Sequence, residues 1–410
     1  MAISKTITFN HPVQILSINT MSLTFSPSIS QVEAPPIAEA MTWVKPGGRN
    51  RQLLNLCQAV PSYPPADVLQ AEIARLAFDP AASLYTDISG IGELRESLAQ
   101  HMASDYQGTI TAGDVAIVSG CNQAFCATIM ALCQRGDNVV LPSPYYFNHQ
   151  MWLDMLGVEK RLIPAFAEGR IYPTPEDTAK QMDKNTRAII LCSPNNPTGA
   201  IYPPSVISAF FELARQAQIA LIIDETYKDF RSNPAPLHGL FAKPNWQETF
   251  IQLYSFSKVY ALTGYRVGSI IAGARLLQQT EKILDCMAIC APHISQRAAL
   301  FGLGNLDGWK CEKQKLMETR REALLAAFNR PDLTYKLVSS GAYFAYVQHP
   351  FNGETSKSVA MRLASEHDVL CLPGSIFGPD QDKYLRLAFA NSPAENMTTL
   401  VERLVESQGH

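Results

Sequence analysis

Three charged residues occupy apolar stretches of the sequence, where an unpaired charge would be unfavourable. Asp224 follows a run of leucine and isoleucine, and an aspartate at the buried end of a strand must pair with a cation or a donor. Lys258 follows another apolar run, where burial would lower its pKa and leave a neutral amine able to form an imine. Arg386 lies within YLRLAF and requires an anion, either a substrate carboxylate or a buried acidic side chain. Each residue alone is also compatible with an ordinary structural role.

Two further segments carry donors suited to an oxyanion such as phosphate. Ser255, Ser257 and Arg266 flank the candidate lysine and offer two hydroxyls and a guanidinium. A glycine precedes Cys121 and Asn122 where a predicted strand joins a predicted helix, and amides at a helix start bind anions with support from the helix dipole. Such junctions are common, so this segment is also compatible with a simple loop.

Two other chemistries find less support in the sequence. The run ALIIDE resembles the acidic strand of a P-loop nucleotide hydrolase, but the chain contains no GxxxxGK[ST] phosphate loop. Cys286, Cys290 and His293 have the spacing of one helical face, yet their neighbours are apolar and no second cluster supplies a fourth ligand. We therefore interpret these cysteines as core residues and predict no metal site.

The elements that must position these residues follow an α/β pattern. Between about residues 114 and 273, short β-branched or apolar runs alternate with amphipathic helical stretches such as Pro204–Gln218, which is typical of a mostly parallel sheet covered by helices. Ligands of such sheets bind outside the carboxyl ends of the strands, where the candidate residues lie. The predicted strands are Val115–Ser119, Asn138–Leu141, Lys160–Pro164, Ala188–Cys192, Ile219–Ile223, Phe250–Tyr254 and Val267–Ile271.

A second, smaller α+β domain is predicted from both chain ends. After about residue 300 the sequence changes to a long helix, Lys310–Asn329, and separate strands at Tyr335–Val347, Val369–Leu372 and Tyr384–Ala390. We divide the chain into a tail or arm (1–36), the N-terminal part of the small domain (37–80), the large domain (81–300) and the C-terminal small domain (301–410).

Composition favours a small-molecule partner. Lys and Arg number 34 against 37 Asp and Glu, and the basic residues form no cluster, so we predict no nucleic-acid binding. No apolar stretch approaches the roughly 18 residues that span a bilayer, and no clean signal peptide is present, so we expect a cytoplasmic protein without membrane contact. The nine cysteines are irregularly spaced, and we expect free thiols.

From about Ile37 to Val405 the sequence resembles class I/II aminotransferases of the aspartate aminotransferase superfamily, pyridoxal-phosphate (PLP) enzymes of fold type I. The order and intervals of the motifs carry the resemblance, such as an arginine eight residues after the lysine. The motifs are SLYTDISGIGELRESLA from Ser83, SGCNQA from Ser119, PSPYY from Pro142, SPNNPTG from Ser193, DETY from Asp224, SFSKVYALTGYRVG from Ser255, LPGSIFG from Leu372 and YLRLAF from Tyr384.

The resemblance implies a role for each matching residue. Lys258 would form the Schiff base with the cofactor and then move the proton of the substrate Cα, and Asp224 would pair with the pyridine nitrogen. Tyr227 and Asn196 would hydrogen-bond the phenolic oxygen of the ring, and Tyr146 would stack on its face. The phosphate would be held by Ser255, Ser257, Arg266 and the backbone of Cys121 and Asn122.

The same resemblance implies a homodimer with shared active sites. Tyr85 would reach the phosphate from the second subunit, whereas Arg386 and Asn196 would bind the α-carboxylate of the amino acid or 2-oxo acid. One departure concerns Ala59, which begins Ala-Val-Pro where the family has Gly-Glu-Pro, so a methyl faces the substrate. No second arginine for a distal carboxylate is evident, which favours an apolar, aromatic or amide substrate.

The function expected from the resemblance is transfer of an amino group from an L-amino acid to a 2-oxo acid. A PLP-dependent C–S lyase or another β- or γ-elimination enzyme shares nearly all the cofactor residues and stays an alternative. A non-catalytic effector-binding protein of the same fold is a second alternative. It is disfavoured because Lys258 is present and the region before residue 37 is too short and uncharged for a DNA-binding domain.

Overall fold

The computed structural model describes residues 23–45, 51–166, 169–231 and 237–409. Most of the predicted arm, residues 1–22, lies outside the described residues. The described part contains fourteen α-helices, numbered in chain order. They are α1 Pro27–Ser30, α2 Pro36–Met41, α3 Asp67–Ala77, α4 Gly92–Tyr106, α5 Cys121–Leu132, α6 Phe147–Leu156, α7 Pro175–Gln181, α8 Pro204–Ala217, α9 Phe256–Val259, α10 Ala274–Ala288, α11 His293–Asn305, α12 Asp307–Phe328, α13 Ser356–Glu366 and α14 Asn396–Glu406.

Thirteen strands in the described part form three sheets. The largest has seven strands in the order β2-β8-β7-β6-β5-β3-β4, all parallel except β8, which runs antiparallel to both neighbours. The strands are β1 Leu54–Asn55, β2 Val115–Val118, β3 Asn138–Ser143, β4 Glu159–Pro164, β5 Thr186–Cys192, β6 Ala220–Asp224, β7 Phe250–Ser255, β8 Gly268–Ile271, β9 Lys336–Gly341, β10 Phe344–Gln348, β11 Val369–Leu370, β12 Leu372–Pro373 and β13 Tyr384–Leu387.

The central strands of the large sheet are buried on both faces, which explains their continuous apolar runs. Alternate residues enter opposite cores: Ile189 and Leu191 join the cluster on one face, whereas Ala188 and Ile190 join the cluster on the other. All seven strands predicted from the sequence are present, with ends shifted by one or two residues. The α/β fold with a mostly parallel sheet is therefore confirmed.

The strands of the smaller domain differ from the sequence prediction. The predicted strand Val369–Leu372 forms two short strands, β11 and β12, in different sheets, and the predicted strand Tyr384–Ala390 ends at Leu387. The sequence predicts a single strand over Tyr335–Val347, but these residues form the hairpin β9–β10 in a four-stranded antiparallel sheet, order β12-β13-β10-β9. The turn follows Gly341, and Ala342 adopts a left-handed φ of 48°. Ser339, Ser340 and Gly341 are typical turn residues, so a local turn signal is present, although it is short and lies within an otherwise strand-like segment.

The N-terminal segment joins the C-terminal part of the chain. β1 pairs in parallel with β11, and Leu54 and Leu56 lie in one core cluster with residues of β10, β13 and α14. None of the helices formed by the described residues has the length and apolar character that crossing a membrane requires.

Candidate active site

A cavity opens at the carboxyl edge of the large sheet, where β5, β6 and β7 end and the antiparallel β8 begins. Parallel strands bring the loops that follow them to one edge, so residues distant in sequence meet there. The cavity is lined by Cys121, Asn122, Tyr146, Cys192, Asn196, Asp224, Thr226, Tyr227, Ser255, Ser257, Lys258 and Arg266. An adjoining cavity shares six of these residues and adds Ile37, Gln58, Ala59, Val60, Phe147, Thr263 and Arg386.

Lys258 lies on the short helix α9, directly after β7, and its amine faces both cavities. Nζ donates a hydrogen bond of 2.6 Å to the carbonyl oxygen of Ala59 and stands 5.9 Å from the ring centre of Tyr227. Burial, reinforced by the positive charges of Arg266 and Arg386, lowers the pKa of Lys258 to about 8. About a tenth of the amine is therefore neutral at pH 7, far more than for an ordinary lysine, and this neutral form can act as a nucleophile or base.

Asp224 ends β6 and is almost fully buried. His149 of α6 donates from Nε2 to the Asp224 carboxylate over 3.1 Å, and the amide of Thr226 donates to its other oxygen over 3.0 Å. Burial raises the pKa of Asp224, but these donors outweigh burial and hold the pKa below its ordinary value. The carboxylate is therefore ionised and oriented at the cavity floor.

His149 was not predicted from the sequence. Its ring stacks on Phe125 at 4.1 Å between centroids and meets Tyr146 edge-on at 5.2 Å, so the imidazole is fixed by packing on two sides. The available signal was its position three residues after Tyr146 at the start of a helix, which places both side chains on one face.

A second group of donors lines the cavity around the start of α5. The Ser255 hydroxyl accepts from the Ser257 amide at 3.2 Å, and Arg266 reaches the Ser257 hydroxyl at 3.4 Å and the Ser119 carbonyl at 3.4 Å. α5 begins here, and its intrahelical bonds start with the amide of Gln123, so the two preceding amides are free to bind an anion. Two hydroxyls, a guanidinium and a helix start fit a phosphate group.

Gly120 allows the arginine to approach the start of α5. Its φ is +85°, and a Cβ built there would overlap Nη2 of Arg266. We expect Gly120→Ala to displace this guanidinium and to weaken PLP binding at least about 10-fold, since a hydrogen bond to a charged group contributes about 1.5–3 kcal/mol. Equilibrium titration of the apoenzyme with PLP measures the effect.

Gly136 supplies the matched control. Its φ is +93°, but nothing lies within 4 Å of a Cβ built there, so Gly136→Ala introduces comparable backbone strain without touching the cavity. Its affinity for PLP should equal that of the unaltered chain. Equal weakening in both variants would show that strain, and not the position of Arg266, is responsible.

Arg386 lies on β13 and is 1% exposed. It donates to the Asn196 side chain at 3.1 Å and to the Cys57 carbonyl, and its guanidinium lies over the rings of Phe344 and Phe377. Nε has no hydrogen-bond partner in the structure, and no acidic side chain pairs with the guanidinium within the described residues. This buried cation is therefore available to an anion that enters the cavity.

The structure brings together all the predicted site residues except one. Tyr146 and Tyr227 line the cavity next to Asn196, and Ala59 lies at its wall. Tyr85 does not reach the cavity of its own chain, and 76% of it is exposed. Cys192 and Thr226 line the cavity without having been predicted, although each lies next to a motif that the sequence identified. All nine cysteines are free thiols, but Cys286 is exposed and Cys290 is only partly buried, so the interpretation of these two as core residues is wrong.

The family model described as "Aminotransferase class I and II" matches residues 51–404 of the chain. The aromatic aminotransferase ISS1 of Arabidopsis thaliana is 28% identical over 357 residues, which cover 86% of this chain and 88% of that protein. The aspartate aminotransferase of Pyrococcus horikoshii is 26% identical over 344 residues, covering 82% of this chain and 87% of the relative.

Solved structures with the same fold cover nearly the whole chain. YbdL of Escherichia coli, reported with a methionine aminotransferase function, aligns with a TM-score of 0.85 over 94% of this chain and 100% of its own, at 22% identity. At that identity the likeness establishes the fold, whereas the family model establishes the membership. The chain belongs to the class I and II aminotransferases, enzymes that use pyridoxal phosphate to transfer an amino group from an amino acid to a 2-oxo acid.

Proposed function

We propose that Lys258, Asp224 and Arg386 carry out the amino-group transfer, with substrate and cofactor bound between them. The observation that carries the proposal is a pair of adjoining cavities that share a partly neutral lysine amine, with an ionised buried aspartate in one and, in the other, a buried arginine without an acidic partner among the described residues. When bound, PLP supplies an electron sink for the charge that develops at the substrate Cα. Lys258 would hold the cofactor through its amine and would move the Cα proton, and Arg386 with Asn196 would bind the α-carboxylate.

The remaining cavity residues orient the cofactor. Asp224, ionised and held by His149, would pair with the pyridine nitrogen, while Tyr227 and Asn196 would hydrogen-bond the phenolic oxygen. Tyr146 would cover one face of the ring. The phosphate would be held by Ser255, Ser257, Arg266 and the amides of Cys121 and Asn122, a set supported by the donors that converge at the start of α5.

We infer that the protein works as a homodimer with shared sites. Tyr85 is 76% exposed, and Leu84, which precedes it, is 65% exposed. Ile289, 38% exposed, precedes Cys290, whose thiol accepts from the neighbouring Thr86 amide at 3.4 Å, so these apolar side chains belong to the same face. A second copy seated on this face would cover these side chains and bring its Tyr85 to the phosphate donors. The occupant is a second copy because this tyrosine has no role in the cavity of its own chain.

Complementation between two variants tests the shared site. Tyr85→Ala should lose about 10- to 100-fold in activity, because a hydrogen bond to a charged phosphate contributes about 1.5–3 kcal/mol, and Lys258→Ala should be inactive. In a mixed dimer, one site combines the intact lysine of the first chain with the intact tyrosine of the second. Co-expression of the two differently tagged variants should therefore restore close to half of the original activity per mixed dimer.

A different activity is expected if the two subunits do not share their active sites. If each site used its own Tyr85, the purified mixed dimer would show no more than the activity of the Tyr85→Ala half. A monomer by sedimentation of the unaltered holoenzyme would exclude the homodimer outright. Unaltered chain mixed with Lys258→Ala is the matched control and should give half activity under either arrangement.

We further propose that residues 81–300 form the PLP-binding domain and that residues 37–80 join residues 301–410 in the small domain. The pairing of β1 with β11 supports the second part of this division.

We also propose a cytoplasmic location. The nine free thiols support it, because a reducing compartment keeps thiols from forming disulfides.

A further inference from the structure

The cavity beside Arg386 contains residues to which the proposed mechanism gives no role. Lys258, Arg266, Arg386, Asn196 and the tyrosines are occupied by the cofactor or the α-carboxylate. The residues left for the substrate side chain are Ile37, Gln58, Ala59, Val60, Phe147 and Thr263.

This remaining set carries no charge. The three cations among the described lining residues of the two cavities are Lys258, Arg266 and Arg386, and each is engaged by the reaction, the phosphate or the α-carboxylate. Asp224 is the single acidic residue in the same described lining, and it faces the cofactor. A second carboxylate or an ammonium on the substrate would be buried without a counter-charge, which is strongly unfavourable.

The side chains that form and back the cavity wall next to Arg386 are apolar. Phe147 is 5% exposed and packs against Phe377 at 5.9 Å between ring centroids, and the ring centre of Phe377 in turn lies 5.3 Å from the guanidinium. Ile37 of α2 packs on the same cluster. A side chain that extends from an α-carboxylate bound at Arg386 therefore meets isoleucine and phenylalanine.

The segment that carries Tyr85 adds no cation to this site. It contains the exposed apolar Leu84 and one charged residue, Asp87, which is negative and also exposed. A second copy that brings Tyr85 to the cavity therefore brings no positive charge from residues 83–90 that could pair with a second carboxylate of the substrate.

We infer that this enzyme acts on amino acids with an uncharged, apolar side chain, of the size range of leucine, methionine or phenylalanine, and that Ile37 and Phe147 form the pocket for that side chain. The inference rests on the proposed function of the same site. The relatives and solved structures bear the names of aspartate, aromatic and methionine aminotransferases, so their names do not distinguish between substrate classes. The inference depends on the chemistry of the pocket residues.

The first half of the reaction tests the inference without any acceptor. Holoenzyme is mixed with an excess of each L-amino acid in turn, and the 2-oxo acid released, up to one equivalent per site, is followed in time. The dependence of this rate on amino-acid concentration gives kcat/KM for the half-reaction. Leucine and phenylalanine should exceed alanine about 100-fold in kcat/KM, since a few buried methylenes give discrimination of that order. They should exceed aspartate about 1,000-fold, since an unpaired charge would be buried.

Two variants on the same helix, α2, distinguish the loss of a pocket contact from a general loss of activity. Ile37→Ala should lower the ratio of kcat/KM for leucine over alanine about 10-fold, because the lost contact matters only to the longer side chain. Met41→Ala removes a half-exposed side chain from the same helix, outside the cavity lining, and should leave the ratio unchanged. An unchanged ratio in Ile37→Ala would remove Ile37 from the pocket.

Binding of unreactive carboxylates gives a readout independent of turnover. By calorimetry on the holoenzyme, 4-methylpentanoate should bind at least about 10-fold more tightly than succinate, because succinate carries a second, unpaired charge into the pocket. Ile37→Ala should reduce that preference. A preference for aspartate and succinate would overturn the inference while leaving the proposed function intact. Failure of every amino acid to yield a 2-oxo acid would instead overturn the proposed function.

Discussion

Replacing Lys258 with arginine is expected to lower the rate of amino-group transfer about 10,000-fold, the upper range for loss of a positioned general base. Arginine preserves the positive charge and much of the length, but its guanidinium does not deprotonate in proteins. In the unaltered chain the pKa of Lys258 is lowered to about 8, first by burial and then by Arg266 and Arg386. Steady-state kcat with a fixed donor and acceptor, together with the visible absorption of bound PLP, measures the loss.

The pH dependence of PLP uptake tests whether the neutral amine of Lys258 is the reactive form. A lowered pKa means that the lysine is protonated below about pH 8 and neutral above it. The rate at which apoenzyme takes up PLP should therefore rise with pH and level off above about 8, well below the range of an ordinary lysine. Lys282→Arg, at an exposed position on α10, should keep full activity and the same pH profile. If the variant Lys258→Arg of the first prediction kept its turnover, Lys258 could not be the residue that holds the cofactor and moves the Cα proton.

The sequence predicted the large sheet well because the relevant physical signal is local. Each strand buried on both faces is a short apolar run, and the residue that follows it is polar where the carboxyl edge faces a ligand. Asp224 and Lys258 could thus be placed at one edge before any contact was known. The hairpin at Ala342 was missed because its turn signal, Ser339-Ser340-Gly341, is short and lies between two strand-like runs, and because the left-handed turn position holds an alanine instead of a glycine.

Residues that act through packing were harder to predict. His149 owes its position to Phe125 of α5 and to Asp224 of β6, two elements distant in sequence, and a lone histidine carries no signal of such a contact. The apolar wall of the pocket could not be predicted for the same reason, since Ile37 and Phe147 are far apart in the sequence and join one hydrophobic cluster only when the chain folds. The domain boundaries, which no observation of the structure decides, stay a prediction.

Replacing Asp224 with asparagine is expected to reduce kcat about 1,000-fold. The substitution keeps the shape and an oxygen that can accept from His149, but it removes the negative charge opposite the pyridine nitrogen. Loss of one partner of a buried charge pair costs about 4 kcal/mol, which corresponds to about three orders of magnitude in rate. The reaction rate should fall much more than PLP affinity, because the phosphate donors at the start of α5 are untouched.

A second buried aspartate distinguishes this electrostatic role from fold stability. Asp229 accepts from the Tyr254 hydroxyl at 2.8 Å and pairs with Lys228 at 3.3 Å, and it lines neither of the two cavities. Asp229→Asn should lower the melting temperature by a few degrees yet keep most of kcat, since it weakens a buried network away from the reacting atoms. Asp224→Asn should show the opposite pattern, with a large loss of rate at little change in melting temperature. If the two variants lost rate and stability in the same proportion, the charge of Asp224 would be a structural requirement, and its pairing with the cofactor would have to be abandoned.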